Sequence, residues 1–501
     1  MASKKNEMVN TINLLWTLSI EDDILVNILR RLDPVSLQSL EASCSQFQEF
    51  IQRRSMWRVL FNTTHPSFLE NIENYDIFAR VKHSFNWDDH YKFKRLCLKI
   101  HFLEVNWQKK NWNEKSLSLQ SVFKYEVIKA MDTNLIVSVK DISFFSSLGT
   151  VFDLAKWKKE QHLQEEDKMH ILSAHISEKN LVLFGEPKLE CGSGDVVFSI
   201  RLYSRSNFCC VAESKSLGPQ EATQRSKVSI SGDCVVLFQS FLHDKTGQDT
   251  VHLFSWTEDS RELVHRASYV LHLPPRKFLV TISCDQLFLA GIRKPGTLVE
   301  VWQLPQPPSS GLCSQEVAVV WSRDVGNRNT VTCTSLHLRH PLLLVGKTDG
   351  RCDLWDVVSD KRLRSLEHGG GTSGLLALQR VVVAAGRIVT LTHRGRLAVW
   401  SLAACRDPTV PQAKCLLWTH TPSAGTLVTD VFASSTKLVL VEANSQTQRT
   451  DIKVLDFWTA GRQVVGEKHG TRDRAAAEAR GRGKRKREGK DGRSKKCCAF
   501  C

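Results

Sequence analysis

The chain has 501 residues, more than one ordinary domain needs, and this length is ample for burying a large hydrophobic core. Its 42% hydrophobic and 24% charged residues are typical of a soluble globular protein. Fifteen cysteines are scattered along the chain, and the opening MASKKNEMVN lacks an apolar signal core. We therefore expect reduced thiols and a cytoplasmic or nuclear location rather than a disulfide framework.

The net charge of +15 is concentrated towards the C-terminal end. From Glu467 onward there are 13 Lys or Arg and 5 Asp or Glu residues, so roughly half of the excess lies there. The preceding sequence is only mildly basic. This distribution weakens a nucleic-acid-binding interpretation for the folded part of the chain.

The most apolar run, LLALQRVVVAAGRIVTLTH, is unsuited to spanning a membrane. Gln379, Arg380 and Arg387 interrupt it, whereas a spanning helix needs about 20 apolar residues. Gly386 within the run instead predicts two strands joined by a turn.

Short helices in quick succession are predicted between residues 14 and 61. Ser19 is a suitable N-cap for the first helix, because its hydroxyl can accept a hydrogen bond from the first turn. The acidic residues that follow it lie where the helix dipole favours negative charge. Asp33 and Pro34 then supply an N-cap and a first-turn proline that begin a second helix. The apolar positions are Ile24, Leu25, Ile28, Leu29 and Leu32 in the first helix, Leu37 and Leu40 in the second, Phe47, Phe50 and Ile51 in the third, and Trp57, Leu60 and Phe61 in the fourth.

These apolar stripes are wider than packing among short helices would fill. A unit of about 50 residues is marginally stable by itself, and this one has no metal-ligand spacing. We therefore predict that a helix of another polypeptide covers the stripes. The alternative is that the segment forms an N-terminal helical cap on the following domain.

The segment resembles the F-box. The matching residues are Leu18, the Ile24/Leu25/Ile28/Leu29 helix, the Leu32-Asp33-Pro34 turn, Leu37, Leu40, Cys44 and Trp57. The family usually begins with leucine-proline and has a tryptophan after the cysteine, where this chain has Leu18-Ser19 and Phe47. F-boxes dock on an adaptor protein, and these two departures put in question how strongly this segment would bind it.

Residues 62 to 117 are predicted to be helical and are rich in aromatic side chains. Trp87, Tyr91 and Lys92, followed by Asn106-Trp107, are similar to the helical linker that joins an F-box to a propeller in F-box/WD-repeat proteins. Interleaved aromatic and basic residues would also suit RNA stacking. We favour the interpretation that the aromatic residues anchor one domain to the next.

Residues 118 to 462 alternate apolar clusters with Gly, Ser and Asp turns, a pattern typical of many short strands. In LLLVGKTDGRCDLWDVVSDKRL, a strand, a tight turn at Asp349-Gly350 and a strand ending in Leu354-Trp355-Asp356 resemble the end of a WD repeat. Similar endings recur near Asp153, Tyr203, Phe254, Trp302, Trp400 and Asp456.

The seven endings are spaced by about 50 residues, close to the period of four-stranded propeller blades. The predicted fold is a multidomain α+β chain with an N-terminal all-α part and an all-β, WD-repeat-like propeller of seven blades. Its expected parts are an F-box at 14–61, a helical linker at 62–117, the propeller at 118–462 and a basic, disordered tail at 463–501.

The motifs that resemble catalytic sites are incomplete. Gly346-Lys347-Thr348 resembles a phosphate-binding loop, but Pro341 stands where that loop needs another glycine. His368 begins an HGGG stretch similar to the oxyanion loop of esterases, yet no G-x-S-x-G elbow accompanies it. His and Cys residues show no paired zinc spacing. We therefore predict a non-catalytic protein without a cofactor or metal requirement.

Two motifs in the tail suggest targeting. The sequence KRKR suits a nuclear import signal or a general polyanion contact, and a solvated charge run is an equal alternative. Its residues are Lys484, Arg485, Lys486 and Arg487. Cys498 begins a C-terminal sequence with the outline of a prenylation box, although cysteine is not its usual last residue.

The order of F-box, aromatic linker and propeller resembles the F-box/WD-repeat proteins, which are substrate receptors of SCF (Skp–cullin–F-box) ubiquitin ligases. The resemblance implies that the F-box docks on the Skp adaptor, which joins a cullin-RING ligase core. It also implies that the propeller binds a target protein, often through a phosphorylated motif. The residues expected to contact the adaptor are Leu18, Ile24, Ile28, Leu29, Leu32, Pro34, Leu37 and Leu40. Substrate-binding residues are left unassigned.

Two other functions stay open at this point. One is a propeller scaffold whose basic tail binds nucleic acid or an anionic membrane, a contact that salt would weaken steeply. The other is an F-box protein that binds the adaptor but delivers no target for degradation.

Overall fold

The computed structural model describes residues 22–64 except residue 44, residues 90–119, and stretches of residues 124–457 separated by short gaps. The helices before the propeller are α1 (Asp22–Leu29), α2 (Pro34–Glu41), α3 (Ser45–Arg53), α4 (Met56–Thr64) and α5 (His90–Lys109). Two short helices, α6 (Leu402–Arg406) and α7 (Gln412–Cys415), lie between two strands of one sheet.

The described strands form seven four-stranded antiparallel sheets, and six of them each use four consecutive strands. Blade 1 contains β2 (Lys124–Ala130), β3 (Asn134–Lys140), β4 (Ser147–Asp153) and β5 (Lys158–His162). Blade 2 contains β6 (Met169–Ile176), β7 (Asn180–Pro187), β8 (Ser199–Ser204) and β9 (Cys210–Glu213). Blade 3 contains β10 (Thr223–Ser231), β11 (Cys234–Phe241), β12 (Gln248–Ser255) and β13 (Val264–His272).

The next three blades follow the same order. Blade 4 contains β14 (Val280–Ser283), β15 (Phe288–Arg293), β16 (Leu298–Gln303) and β17 (Ala318–Asp324). Blade 5 contains β18 (Cys333–Arg339), β19 (Leu342–Lys347), β20 (Arg351–Asp356) and β21 (Lys361–Glu367). Blade 6 contains β22 (Leu378–Ala384), β23 (Arg387–Thr392), β24 (Leu397–Ser401) and β25 (Leu416–His420).

The remaining sheet, here called the closing blade, combines two distant parts of the chain. It contains β1 (Asn113–Leu119), β28 (Arg449–Asp456), β27 (Lys437–Asn444) and β26 (Thr426–Ala433), in that order. The prediction of seven blades within one continuous region is corrected here, because only six blades are continuous in sequence and the closing blade needs a strand that begins at Asn113. Pairing β1 with β28 covers a strand edge and holds the ring together.

Burial follows the position of a strand within its blade. The second strands β19 and β23 are buried along their whole length, because a blade packs both of its faces against neighbouring blades. In contrast, the outermost strand β17 buries only Trp321. The continuous apolar runs of the sequence therefore mark the second strands, while the outer strands carry more polar residues.

Hydrogen bonds join the innermost strands of successive blades. The Ser173 hydroxyl accepts a hydrogen bond from the Val228 backbone N–H at 3.0 Å, and the Ser335 hydroxyl accepts one from the Val381 backbone N–H at 3.1 Å. Each serine directly follows a register shift in its strand, and such a bulge re-aims side chains. These contacts satisfy backbone donors that lie between sheets.

Two glycine turns confirm predictions made from the sequence. Gly350 joins β19 to β20 and Gly386 joins β22 to β23, with φ angles of 84° and 78°. Glycine adopts this left-handed backbone conformation without the steric cost that a Cβ would add. The apolar run around Gly386 is therefore a pair of strands.

The GKT motif has a structural role in blade 5. A Cβ added to Gly346 would lie 3.1 Å from Val381 Cγ1 of blade 6, so glycine allows the two blades to approach closely. The Lys347 Nζ lies 2.6 Å from the Asp353 Oδ2, and both side chains are largely buried. Within the propeller, Gly346 therefore packs closely against blade 6, and Lys347 pairs with a buried carboxylate.

The HGGG stretch begins with a histidine that closes a hydrogen-bond network in blade 6. The Thr390 hydroxyl accepts a hydrogen bond from the Trp400 indole N–H at 3.1 Å and lies 2.5 Å from the His368 Nε2. Burial lowers the pKa of His368 to about 4, so the ring is neutral at neutral pH. The histidine therefore connects the loop before blade 6 to the two central strands of that blade.

Replacing Thr390 with valine tests this network. Thr390→Val keeps the side-chain shape but leaves the buried Trp400 N–H without its acceptor, which we expect to lower the free energy of unfolding by about 1–3 kcal/mol. Thr390→Ser keeps the hydroxyl and should lose much less. Urea unfolding followed by tryptophan fluorescence compares the two variants, and equal losses would contradict the network's role.

Candidate protein-docking site

The second helix of the N-terminal unit (α1 to α4) begins at the predicted cap. The Asp33 carboxylate accepts hydrogen bonds from the backbone N–H groups of Val35 and Ser36, both at 3.0 Å, and from the Ser36 hydroxyl at 2.6 Å. Pro34 lies in the first turn of α2, where its missing N–H is not needed. Although partial burial opposes the shift, hydrogen bonds from Ser36 and Val35 hold the pKa of Asp33 below its ordinary value.

One hydrophobic core holds α1 to α4 together and continues into α5. Its buried members from α1 to α4 are Leu25, Leu29, Leu37, Leu40, Phe47, Phe50, Ile51, Met56, Trp57, Leu60 and Phe61. Its buried members from α5 are Phe93, Cys97, Ile100, Leu103 and Trp107. The predicted linker helix therefore covers one side of the short helices.

A buried polar contact fixes α5 against this unit. Glu41 is 6% exposed, and its Oε2 accepts hydrogen bonds from the Trp57 indole N–H at 3.2 Å and from the Lys94 Nζ at 2.6 Å. The Lys94 Nζ also lies 5.7 Å from the centre of the Trp57 ring. A buried carboxylate is costly unless it is paired and hydrogen-bonded, so these contacts favour one orientation of α5.

The other side of α1 carries large apolar side chains that are exposed. Ile24 and Ile28 are 50% and 37% exposed, and Val35 at the start of α2 is 36% exposed. Residues four positions apart share a helix face, whereas Leu25 and Leu29 of the same helix lie in the core. Helix α1 is thus apolar both inward and outward. We call Ile24, Ile28 and Val35 the outer apolar face.

The residues predicted to contact an adaptor fall into separate groups. Those buried in the core, each at most 2% exposed, are Leu29, Leu37 and Leu40. Those on the outer apolar face are Ile24 and Ile28. Leu32 and Pro34 are partly buried, and Leu32 packs against the core; Leu18 lies outside the described residues. Phe47, which stands where the F-box usually has tryptophan, is 2% exposed and belongs to the core.

An aromatic stack anchors α5 on the propeller. The ring of Trp107 lies 3.6 Å from that of Phe457, with 12° between their planes, and its centre is 6.4 Å from that of Trp418. The Trp418 indole N–H donates to the Trp107 carbonyl at 2.7 Å, and the Asn106 amide donates to the Phe457 carbonyl at 2.8 Å. The predicted anchoring role of Asn106-Trp107 is confirmed, whereas Trp87 lies outside the described residues.

A buried arginine covers the other face of this stack. Arg387 is 3% exposed, and its Cζ lies 4.6 Å from the centre of the Trp107 ring. Its guanidinium lies 2.6 Å from the Glu104 carboxylate of α5. The arginine begins β23 of blade 6, so the stack joins α5 to blade 6 as well as to the closing blade.

The partners that complete these contacts are not predictable from the sequence alone. Glu41 and Lys94 are 53 positions apart, and Asn106 and Phe457 are 351 apart. Isolated charged or aromatic residues give no local pattern that would pair them over such separations. Only the aromatic richness of the linker gave a signal.

Two arginines of the propeller have carboxylate neighbours. Arg351 lies 3.1 Å from the Glu367 carboxylate, and Arg380 lies 3.6 Å from that of Asp430. Neither residue is assigned to substrate binding.

Other properties of the described residues bear on the site. They contain no group of three or more His, Cys, Asp or Glu side chains arranged to hold a metal ion. None of the described helices has both the length and the apolar character needed to cross a membrane. The KRKR run and Cys498 of the tail lie outside the described residues.

Comparison with known proteins gives one family match, which covers the helical unit. The family model described as F-box-like matches residues 22–63. No curated protein matches the sequence.

Two solved structures are similar to this chain at low identity. The computationally designed Ika8 protein is 13% identical, with a TM-score of 0.40, over 68% of this chain and 98% of its own. A chain of the mitotic checkpoint complex is 12% identical, with a TM-score of 0.45, over 69% of this chain and 93% of its own. At this level of similarity, no activity or partner of either structure is transferred to this chain.

The cap at Asp33 predicts a pH-dependent stability. Because its pKa is lower in the folded chain than the ordinary 3.8, the stabilisation is complete above that value and is lost as the pH falls through the folded-state pKa. Asp33→Ala should cost about 1 kcal/mol at pH 7 and clearly less at pH 3. Thermal unfolding of wild type, Asp33→Ala and the capping control Asp33→Ser checks this, and an equal cost of Asp33→Ala at both pH values would contradict it.

Removing the anchor should uncouple the helices from the propeller. Trp107→Ala deletes a fully buried ring, for which we expect a loss of about 3–5 kcal/mol, and Trp107→Phe should lose less because it keeps an aromatic stack. In calorimetry, Trp107→Ala should show a separate transition at lower temperature for the helical part. A thermogram unchanged from wild type would be inconsistent with the anchor.

Proposed function

We propose that this chain, an F-box-like unit anchored on a β-propeller, is a substrate receptor of an SCF-type ubiquitin ligase. In this proposal the F-box-like unit binds the Skp adaptor and through it a cullin-RING core, while the propeller holds a protein target for ubiquitination. The observation that carries the proposal is an exposed apolar face on the unit that matches the F-box-like family. An F-box joined to a propeller is typical of non-catalytic receptors, so the transfer chemistry belongs to other subunits.

The outer apolar face supplies the adaptor contact. Ile24, Ile28 and Val35 lose water when a partner helix covers them, and the partly buried Leu32 and Pro34 lie between α1 and Val35 in the sequence. Fully burying an exposed aliphatic side chain contributes about 1.5–3 kcal/mol. These three side chains are already half or more buried, so each adds about half of that or less, and together they supply only part of the affinity. A charge at any of these positions would have to be buried unpaired in the interface.

The predicted contact residues inside the core act indirectly. Leu29 and Leu37 hold α1 and α2 in place, so their replacement would unfold the unit rather than report on an interface. For this reason the outer residues, rather than Leu29, are the appropriate positions for testing adaptor binding. Leu18 keeps its proposed role as a contact residue at the start of the F-box.

Helix α5 fixes the distance between the F-box-like unit and the propeller. Its 20 residues span about 30 Å, and it is buried against the F-box-like unit at one end and stacked on the propeller at the other. A target held by the propeller is thereby kept at a restricted distance from the adaptor. Such positioning raises the effective concentration of a target lysine near the ubiquitin-charged enzyme.

An aspartate on the outer apolar face should weaken adaptor binding strongly without unfolding the chain. We expect Ile28→Asp to weaken binding of the purified full-length protein to the Skp adaptor at least about 30-fold, the effect of losing a hot-spot residue. Gln48→Asp, on an exposed position of α3, is the matched control.

Titration by biolayer interferometry, together with thermal unfolding of each variant, separates an interface effect from instability. Equal affinities of Ile28→Asp and wild type would remove the outer apolar face from the proposal. No binding by wild type at micromolar concentration would refute the receptor function. Affinity purification from cells would then report adaptor, cullin and target together.

A further inference from the structure

Two imidazole rings converge on one hydroxyl group in the outer half of blade 3. His252 on β12 lies directly opposite Ser268 on β13, and its Nδ1 is 2.8 Å from the Ser268 Oγ. The Nε2 of His265 is also 2.8 Å from the Ser268 Oγ. The two ring centres are 5.6 Å apart, with 52° between their planes. Two ring nitrogens thus face the same oxygen atom.

A β-bulge creates this arrangement. His265 and Ser268 are three positions apart and would point to opposite faces of a regular strand. The register of β12 and β13 shifts between Leu253 and Phe254, which inserts an extra residue between His265 and Ser268. The extra residue restores both side chains to one face of the sheet.

The ring of His252 is also held from its other side. The other nitrogen of His252, Nε2, lies 3.1 Å from the Thr250 hydroxyl. A hydrogen bond at the second ring nitrogen is what orients a metal-ligating histidine.

The equivalent cross-strand position in blade 2 has a different chemistry. Arg201 on β8 lies opposite Glu213 on β9, and the two form an ion pair at 2.8 Å. That pair is electrostatically complete within the protein. In blade 3 the same place holds two nitrogen donors and one oxygen donor without a formal charge, which is a donor set that a cation can use.

We propose that His252, His265 and Ser268 bind one divalent transition-metal ion of the zinc and copper class. The ion lies between the two ring nitrogens, with the Ser268 oxygen as third donor, and water or a donor from a bound molecule completes its coordination. Imidazole nitrogen favours zinc, copper and nickel over the harder magnesium and calcium. In a tetrahedral zinc site the nitrogen and oxygen donors lie about 3.4 Å apart, so the side chains must separate by about 0.6 Å from their hydrogen-bonded positions.

The test is a metal titration of the full-length protein. Isothermal titration with zinc chloride should show one more bound ion per wild-type chain than per chain of His265→Ala, a replacement at an exposed position. His393→Ala, also exposed but in blade 6, is the matched control and should keep the wild-type stoichiometry. Thr250→Val should weaken this ion's binding about tenfold by removing the partner of the ligating ring.

Copper gives an independent readout of the ligand set. The electron paramagnetic resonance spectrum of the protein with one equivalent of Cu²⁺ should show coupling to two imidazole nitrogens, and His252→Ala should reduce this to one. Circular dichroism and thermal unfolding of each variant establish that it is folded. Equal zinc stoichiometry in wild type and His265→Ala would overturn the site, as would binding by magnesium as strong as that by zinc.

Discussion

The stacking of Trp107 between Phe457 and Arg387 is the contact on which the rest of the structure depends. Helix α5 ends at Lys109, and the strand that completes the closing blade begins only four positions later at Asn113. Attachment of the helices and closure of the ring therefore happen in the same short segment. A helix that left the propeller would pull on the strand that covers β28, so the two events are mechanically coupled.

This coupling explains how a small helical unit can keep an apolar surface exposed. The unit does not depend on its outer residues for stability, because α5 supplies the missing half of its core and the Glu41–Lys94 pair orients that helix. Ile24 and Ile28 are consequently free to face outward. Helix α1 thus contributes one apolar face to the core and leaves a second apolar face exposed.

The propeller achieves the same architecture with different polar contacts in different blades. Blade 2 uses an arginine–glutamate pair, blade 5 a buried lysine–aspartate pair and blade 6 a histidine–threonine–tryptophan network. Each solution satisfies groups that would be costly to bury alone. Any of these polar arrangements can stabilise a blade, so the blades have the same shape with different sequences. Of the seven repeat endings, only one has the Trp-Asp pair. Blade 3 differs in placing two histidines and a serine within hydrogen-bond distance of one another.

The sequence by itself determined the features that arise from neighbouring residues. Asp33 and Pro34 start α2 because a carboxylate and a proline satisfy a helix terminus locally, and Gly350 and Gly386 make turns because they lack a Cβ. Period and strand pattern likewise predicted propeller blades. Only the tertiary structure decided which apolar residues of α1 lie inside. Ile28 and Leu29 are equally apolar and differ only in the direction that they face. The tertiary structure also brought β1 to β28 and Arg387 to Trp107, because contacts across hundreds of positions depend on the ring being closed and leave no local pattern.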